Sequence, residues 1–214
     1  MRNREFMDLS SVINKNSDLI VNNIKQESID TYQFIKNQFE SKDVTKNYLF
    51  QFIFRSFYRI DNAGLKDELK ERYFELMESN RNNEKIDLPS IVENLYEIKN
   101  YKGQNTIQFS FATKLANTIN YEYPIYDSEV ARMCEYRTPY TYKSKEIRIE
   151  EYMTSYRDLR SKYKNIIENG VMSLALEKFD GTLSGVESMP KVKKIDFLVW
   201  SAGKLEKDSK LKYA

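Results

Sequence analysis

The amino-acid sequence predicts an all-α fold, and three observations carry that prediction. Charged residues make up 31% of the chain, yet only six Gly and four Pro interrupt it, so helix breakers are scarce. Apolar residues recur at three- and four-residue spacing through most of its length. Aromatic residues reach 14%, with sixteen Tyr and twelve Phe, the side chains that fill small helical cores. At 214 residues the chain is one domain, or one domain in two lobes, long enough to bury a core.

From Glu5 to about Ile24 the apolar positions Phe6, Leu9, Val12, Ile13, Leu19, Ile20 and Ile24 predict one interrupted amphipathic helix or two short ones. Ile29, Phe34, Ile35 and Phe39 predict a second segment over Glu27–Phe39. Asp43 or Thr45 is the expected N-cap of the next helix, whose apolar density from Tyr48 to Ile60 reads as central and buried. Asp61, Asn62 and Gly64 break it, and Leu65–Met77 follows as a charged amphipathic helix. After the polar loop Ser79–Asp87, the Asp87-Leu88-Pro89 entry opens a helix that stops before Asn100. Lys102-Gly103 marks a turn, and Thr106–Ile119 is helical. Pro124–Cys134 begins extended and turns helical at Asp127-Ser128. Tyr136–Lys145 is a loop, Glu146–Glu168 a long helix, and Val171–Phe179 a short one. Val192–Leu205 is the last helix, followed by a charged tail expected to fray. The expected total is about ten helices.

Composition narrows the chemistry. The chain contains no histidine, which excludes Ser-His-Asp and Cys-His nucleophiles, histidine acid–base catalysis and His-ligated zinc. Its single Cys134 can form neither an intrachain disulfide nor a cysteine-rich metal or iron–sulfur site, so no metal is expected. The net charge of +2 neither demands nor forbids nucleic acid; that would require the 34 basic residues to gather on one face. The N-terminus has no signal-peptide apolar run and no stretch approaches a membrane span, so a cytoplasmic location without a membrane partner is expected.

The most informative stretch is Ser110–Arg132, SFATKLANTINYEYPIYDSEVAR. It places Lys114 on a helical pattern, then a proline-marked turn, then Asp127 at the mouth of a second helix. A desolvated lysine is an amine nucleophile, and a carboxylate stabilises a developing cation. Singly, each has an ordinary reading: Lys114 as a snorkelling surface residue, Asp127 as an N-cap, Arg132 as a salt-bridge partner. Their order gives them more weight together.

That order resembles the helix-hairpin-helix DNA glycosylase superfamily, whose hairpin reads L-P-G-V-G-x-K and is followed by V-D-x-x-V-x-R. Lys114 falls on the family's lysine, with Thr113 before it and Ser110 and Ala112 on its two glycines. Asp127 falls on the aspartate, and Val130 and Arg132 on the positions three and five further. Phe109 stands where the family has proline, and Asp127 follows Lys114 at a spacing of only thirteen positions.

The resemblance implies a two-lobed helical bundle, with lobes over roughly 43–135 and over 1–42 with 136–214. It also implies a DNA glycosylase of the branch without an iron–sulfur cluster. Such an enzyme flips a damaged or modified base out of duplex DNA, in repair or against phage-type modified DNA. Asp127 would stabilise the oxocarbenium ion, and Lys114, kept neutral by desolvation, would attack the anomeric carbon to form a Schiff base, opening AP-lyase cleavage. Backbone N–H groups at Ser110, Ala112 and Thr113 would bind a phosphate, with Arg132 nearby. Tyr123, Tyr126 and Phe111 would stack on the base, and Arg59 and Asn62 would fill the gap in the duplex. No cofactor is implied beyond a monovalent cation that a hairpin of this family can hold. The reading from a different class is a non-catalytic helical module that binds nucleic acid or protein.

Overall fold

The structure, a computed structural model, describes residues 8–213. Among these the fold is all-α: eleven α-helices, one 3₁₀ turn at Ile60–Ala63 and no strand. No described helix is long and apolar enough to cross a membrane. The helices are α1 (Leu9–Lys15), α2 (Ser17–Asn22), α3 (Gln26–Ser41), α4 (Tyr48–Phe57), α5 (Asp67–Ser79), α6 (Leu88–Tyr96), α7 (Phe109–Ile119), α8 (Ser128–Met133), α9 (Lys145–Asn169), α10 (Ser173–Thr182) and α11 (Lys191–Lys207). The periodicity read from Leu9 onward resolves into the two short helices α1 and α2, hinged at Asn16; Glu5 and Phe6 lie outside the described residues.

The chain divides into two compact units. One comprises the described residues up to Ile29, Asp127–Arg137 and the described residues from Ser155 onward; the other comprises Asp30–Tyr126 and Thr138–Thr154. Helices α3 and α9 contribute residues to both.

The first unit is organised by α11, which packs on α8 and α2, while α10 packs on α2. Ile13, Ile20, Phe179, Ile195 and Leu198 are fully buried within it. Side-chain amides and hydroxyls bind its backbone together: Ser201 Oγ donates to Ile20 O at 2.7 Å, and Asn14 bonds both Val171 O and Ala175 N. The tail expected to fray is pinned instead. The Lys212 amide donates to Asn16 Oδ1 at 2.9 Å, Asn16 Nδ2 donates back to Lys212 O at 3.0 Å, and Leu211 is buried. One buried apolar residue and one reciprocal amide pair hold the segment beside the neighbouring lysines.

The second unit is built around aromatic rings of α4 and α5. Phe54 lies 5.5 Å from Phe50, 4.6 Å from Tyr58, and 5.8 Å from both Tyr73 and Phe74, measured between ring centroids. Two expectations for α4 are corrected. Its N-cap is Asn47, whose side chain accepts from Phe50 N at 3.1 Å; Asp43 instead closes its own turn onto Thr45. Nor is the whole helix buried: Tyr48, Leu49 and Phe52 are 79%, 58% and 61% exposed. Apolar density reports how many residues could be covered, not how many neighbouring elements exist to cover them.

The entry to α6 is as expected. Asp87 caps it by accepting from Ser90 N at 3.2 Å, with Pro89 in the first turn, where its missing N–H costs nothing. Asp87→Ala is expected to cost about 1 kcal/mol of stability, read by chemical denaturation, and Asp87→Ser close to nothing.

Candidate functional site

Helix α7 carries Lys114. Phe109, Ala112, Leu115 and Ala116 are buried together along it, and Ala112 through Thr118 leave the solvent almost completely. Lys114 is therefore no snorkelling surface residue: it is 8% exposed. Its amine lies 3.0 Å from Ser110 Oγ, 5.1 Å from the centroid of the Phe111 ring and 5.8 Å from that of Tyr58. The direction follows from helix geometry, because a side chain leans toward the helix N-terminus and onto the residues three and four before it. For Lys114 those are Phe111 and Ser110.

The floor of this site is fixed from below. Tyr73 Oη donates to Phe111 O at 2.9 Å, and burial pushes the Tyr73 phenol well above its ordinary range, so it remains a neutral donor. Thr118 Oγ1 donates to Lys114 O at 2.8 Å, and Lys36 Nζ donates to Thr118 O at 2.9 Å. Burial holds the Lys36 amine below its usual value against the opposing pull of Glu40.

The hairpin expectation is corrected here. Ser110, Ala112 and Thr113 belong to α7 itself, which begins at Phe109. The Ala112 N–H donates to Gln108 O at 2.9 Å, and Ala112 and Thr113 are 0% exposed, so neither offers a free backbone donor to a phosphate. Thr113 is a latch: its Oγ1 donates to Ser110 O and accepts from Tyr126 N at 3.0 Å, tying α7 to the extended segment after Pro124. The reason lies in the substitutions. Ser110 and Ala112 are compatible with helix where glycines would favour an open loop. The glycine turn sits earlier, at Asn100–Gly103, where Asn100 Oδ1 accepts from the amides of Lys102 and Gln104 and Gly103 adopts a φ of 73°.

The expected base-stacking aromatics divide. Tyr123 and Tyr126 are buried at 8% and 5% exposure. Tyr123 Oη accepts from Ile86 N at 2.9 Å, and the Tyr126 ring packs edge-on against Phe109, which stacks on Tyr152 at 4.9 Å. Both are core residues. Phe111 is half-buried and lies beside the lysine amine. Arg59 and Asn62 are exposed, Arg59 as the N-cap of the 3₁₀ turn and Asn62 within it, and Arg59 adopts left-handed backbone at φ 57°.

Asp127 belongs to the other unit and caps α8: its Oδ1 accepts from Glu129 N at 2.9 Å and Val130 N at 3.0 Å. It is half-buried. Burial, followed by the charge of Asp196 and more weakly that of Asp127, raises the Tyr163 phenol well above its usual range. Burial pushes the Cys134 thiol up to about 12, so it stays protonated and unreactive near neutrality. Arg132 is committed structurally, paired with Glu129 and donating to Gly203 O at 3.0 Å. Among the described residues no group of three or more Cys, Asp or Glu could hold a metal ion.

Sequence reasoning missed Tyr58. Its approach to Lys114 depends on how α4 meets α7, and nothing local to either segment announces it. Comparison with protein-family models, curated proteins and solved structures finds no match.

Proposed function

We propose that this chain is a DNA glycosylase that excises a damaged or modified base from duplex DNA, with lyase activity through Lys114. The observation that supports the reading most directly is Lys114 itself, an amine almost wholly withdrawn from water, flanked by two aromatic rings and oriented by a hydroxyl. Only the unprotonated amine attacks a carbon, and withdrawal from water is how proteins free lysine for that work. In the proposed reaction Asp127 stabilises positive charge on the sugar as the N-glycosidic bond breaks. Lys114 forms the bond to C1′, and ring opening gives the imine. Elimination of the 3′-phosphate then cuts the strand.

The test is borohydride trapping on duplexes that carry a panel of lesions and modified cytosines. Lys114→Ala is expected to abolish the covalent adduct. Asp127→Asn is expected to lower base release by about 10²–10³-fold, the order lost when a charge-stabilising group is removed from an active site. Asn is the informative replacement there because it keeps the Oδ1 acceptor that caps α8, whereas Ala would also remove the cap. Base release that survives Lys114→Ala but not Asp127→Asn would mean a glycosylase that uses water. DNA binding with neither adduct nor base release would overturn the enzymatic reading. It would leave a binding module, a role favoured by the exposed Tyr48, Leu49 and Phe52 on α4.

A further inference from the structure

We infer that Ser110 is a positioning residue for the Lys114 amine, an inference that rests on the reading of Lys114 as a nucleophile. A lysine side chain has four rotatable bonds, and burial alone does not choose among their rotamers. At this site one directional partner lies within α7 itself. Ser110 lies one turn before Lys114, where the lysine's own lean toward the helix N-terminus delivers the amine, and its Oγ is 3.0 Å from Nζ. The two rings supply a lateral boundary at 5.1 and 5.8 Å but no directional bond. Of these three neighbours the hydroxyl is the one that makes a hydrogen bond to Nζ. Ser110 and Phe111, in the first turn of α7, are half-buried.

Thr and Val have nearly the same shape, and only Thr carries a hydroxyl. The comparison of Ser110→Thr with Ser110→Val therefore separates hydrogen bonding from packing. The readout is reductive alkylation by propanal and cyanoborohydride, followed by peptide mapping. The amine adds to the carbonyl carbon, water leaves, and hydride from the borohydride fixes the imine as a secondary amine. Exposed Lys46 serves as the internal reference.

Labelling of Lys114 relative to Lys46 is expected to fall about tenfold in Ser110→Val and to stay within about twofold of the parent in Ser110→Thr, since misplacing a reacting group carries losses of this order or greater. Matching thermal midpoints for the two variants would show that the fold is equally intact. Equal labelling of the Val variant and the parent would overturn the inference, as would equal losses in Val and Thr. No DNA enters this assay. Failure of trapping on DNA with a hydroxyl-dependent labelling rate would sink the glycosylase reading alone. Normal DNA trapping by Ser110→Val would sink the positioning role alone.

Discussion

Gly203→Ala is expected to destabilise the unit that carries Asp127 by about 3 kcal/mol, at the upper end of what overpacking a core costs. For a chain of this size that is a fall in thermal midpoint of roughly 6–12 °C, measured by circular dichroism. Gly203 lies inside α11, and a methyl group there would stand 2.3 Å from Glu129 O and 2.6 Å from Glu129 C. Both are backbone atoms of α8, so no side-chain rotation relieves the clash and the helices must separate. The same close approach permits the bond from Arg132 to Gly203 O. The sign of the effect is diagnostic, because alanine is the better helix former by about 1 kcal/mol at an open position. Gly181 in α10 is such a position, with nothing within 4 Å of its virtual methyl. Gly181→Ala is expected to raise stability by roughly 0.5–1 kcal/mol. A neutral or stabilising Gly203→Ala would show that α8 and α11 do not meet in this register. Since Glu129 follows Asp127 by two residues, separation of the helices would also disturb the carboxylate.

The parts of the fold that were legible in the sequence are those fixed by local chemistry. Asp87-Leu88-Pro89 and Asp127-Ser128 each announce a helix entry because one side chain satisfies amides two or three residues away. The ordinary readings of Asp127 as a cap and Arg132 as a salt-bridge partner were legible for the same reason. Ser110 and Lys114 are one helical turn apart, so their meeting is local too, once α7 is known to begin at Phe109. What the sequence misplaced depends on which neighbours exist. The exposed face of α4, the Tyr58 ring beside the lysine and the tail held by Asn16 all arise from contacts distant in sequence. The hairpin was misplaced because alignment to a glycine pattern ignored what Phe109, Ser110 and Ala112 do to the backbone.

Phe54→Ala is expected to cost about 4 kcal/mol, within the range for truncating a fully buried phenylalanine and leaving its cavity. Phe52→Ala, two residues away on the same helix, should change stability by no more than about 0.5 kcal/mol. Composition cannot distinguish these neighbours; only their faces differ, with Phe54 0% and Phe52 61% exposed. Phe54 holds four rings around it, and the nearest, Tyr58 at 4.6 Å, also borders the Lys114 amine. Removing the Phe54 ring leaves Tyr58 free to drop into the vacated space, which opens the lateral boundary of the lysine site. Below its lowered melting temperature, Phe54→Ala should therefore show altered aldehyde labelling of Lys114, while Phe52→Ala labels as the parent does. A cost below about 1 kcal/mol for Phe54→Ala would mean that this aromatic cluster is not the core of its unit. Full destabilisation with unchanged labelling would mean that Ser110 orients the amine without help from the rings.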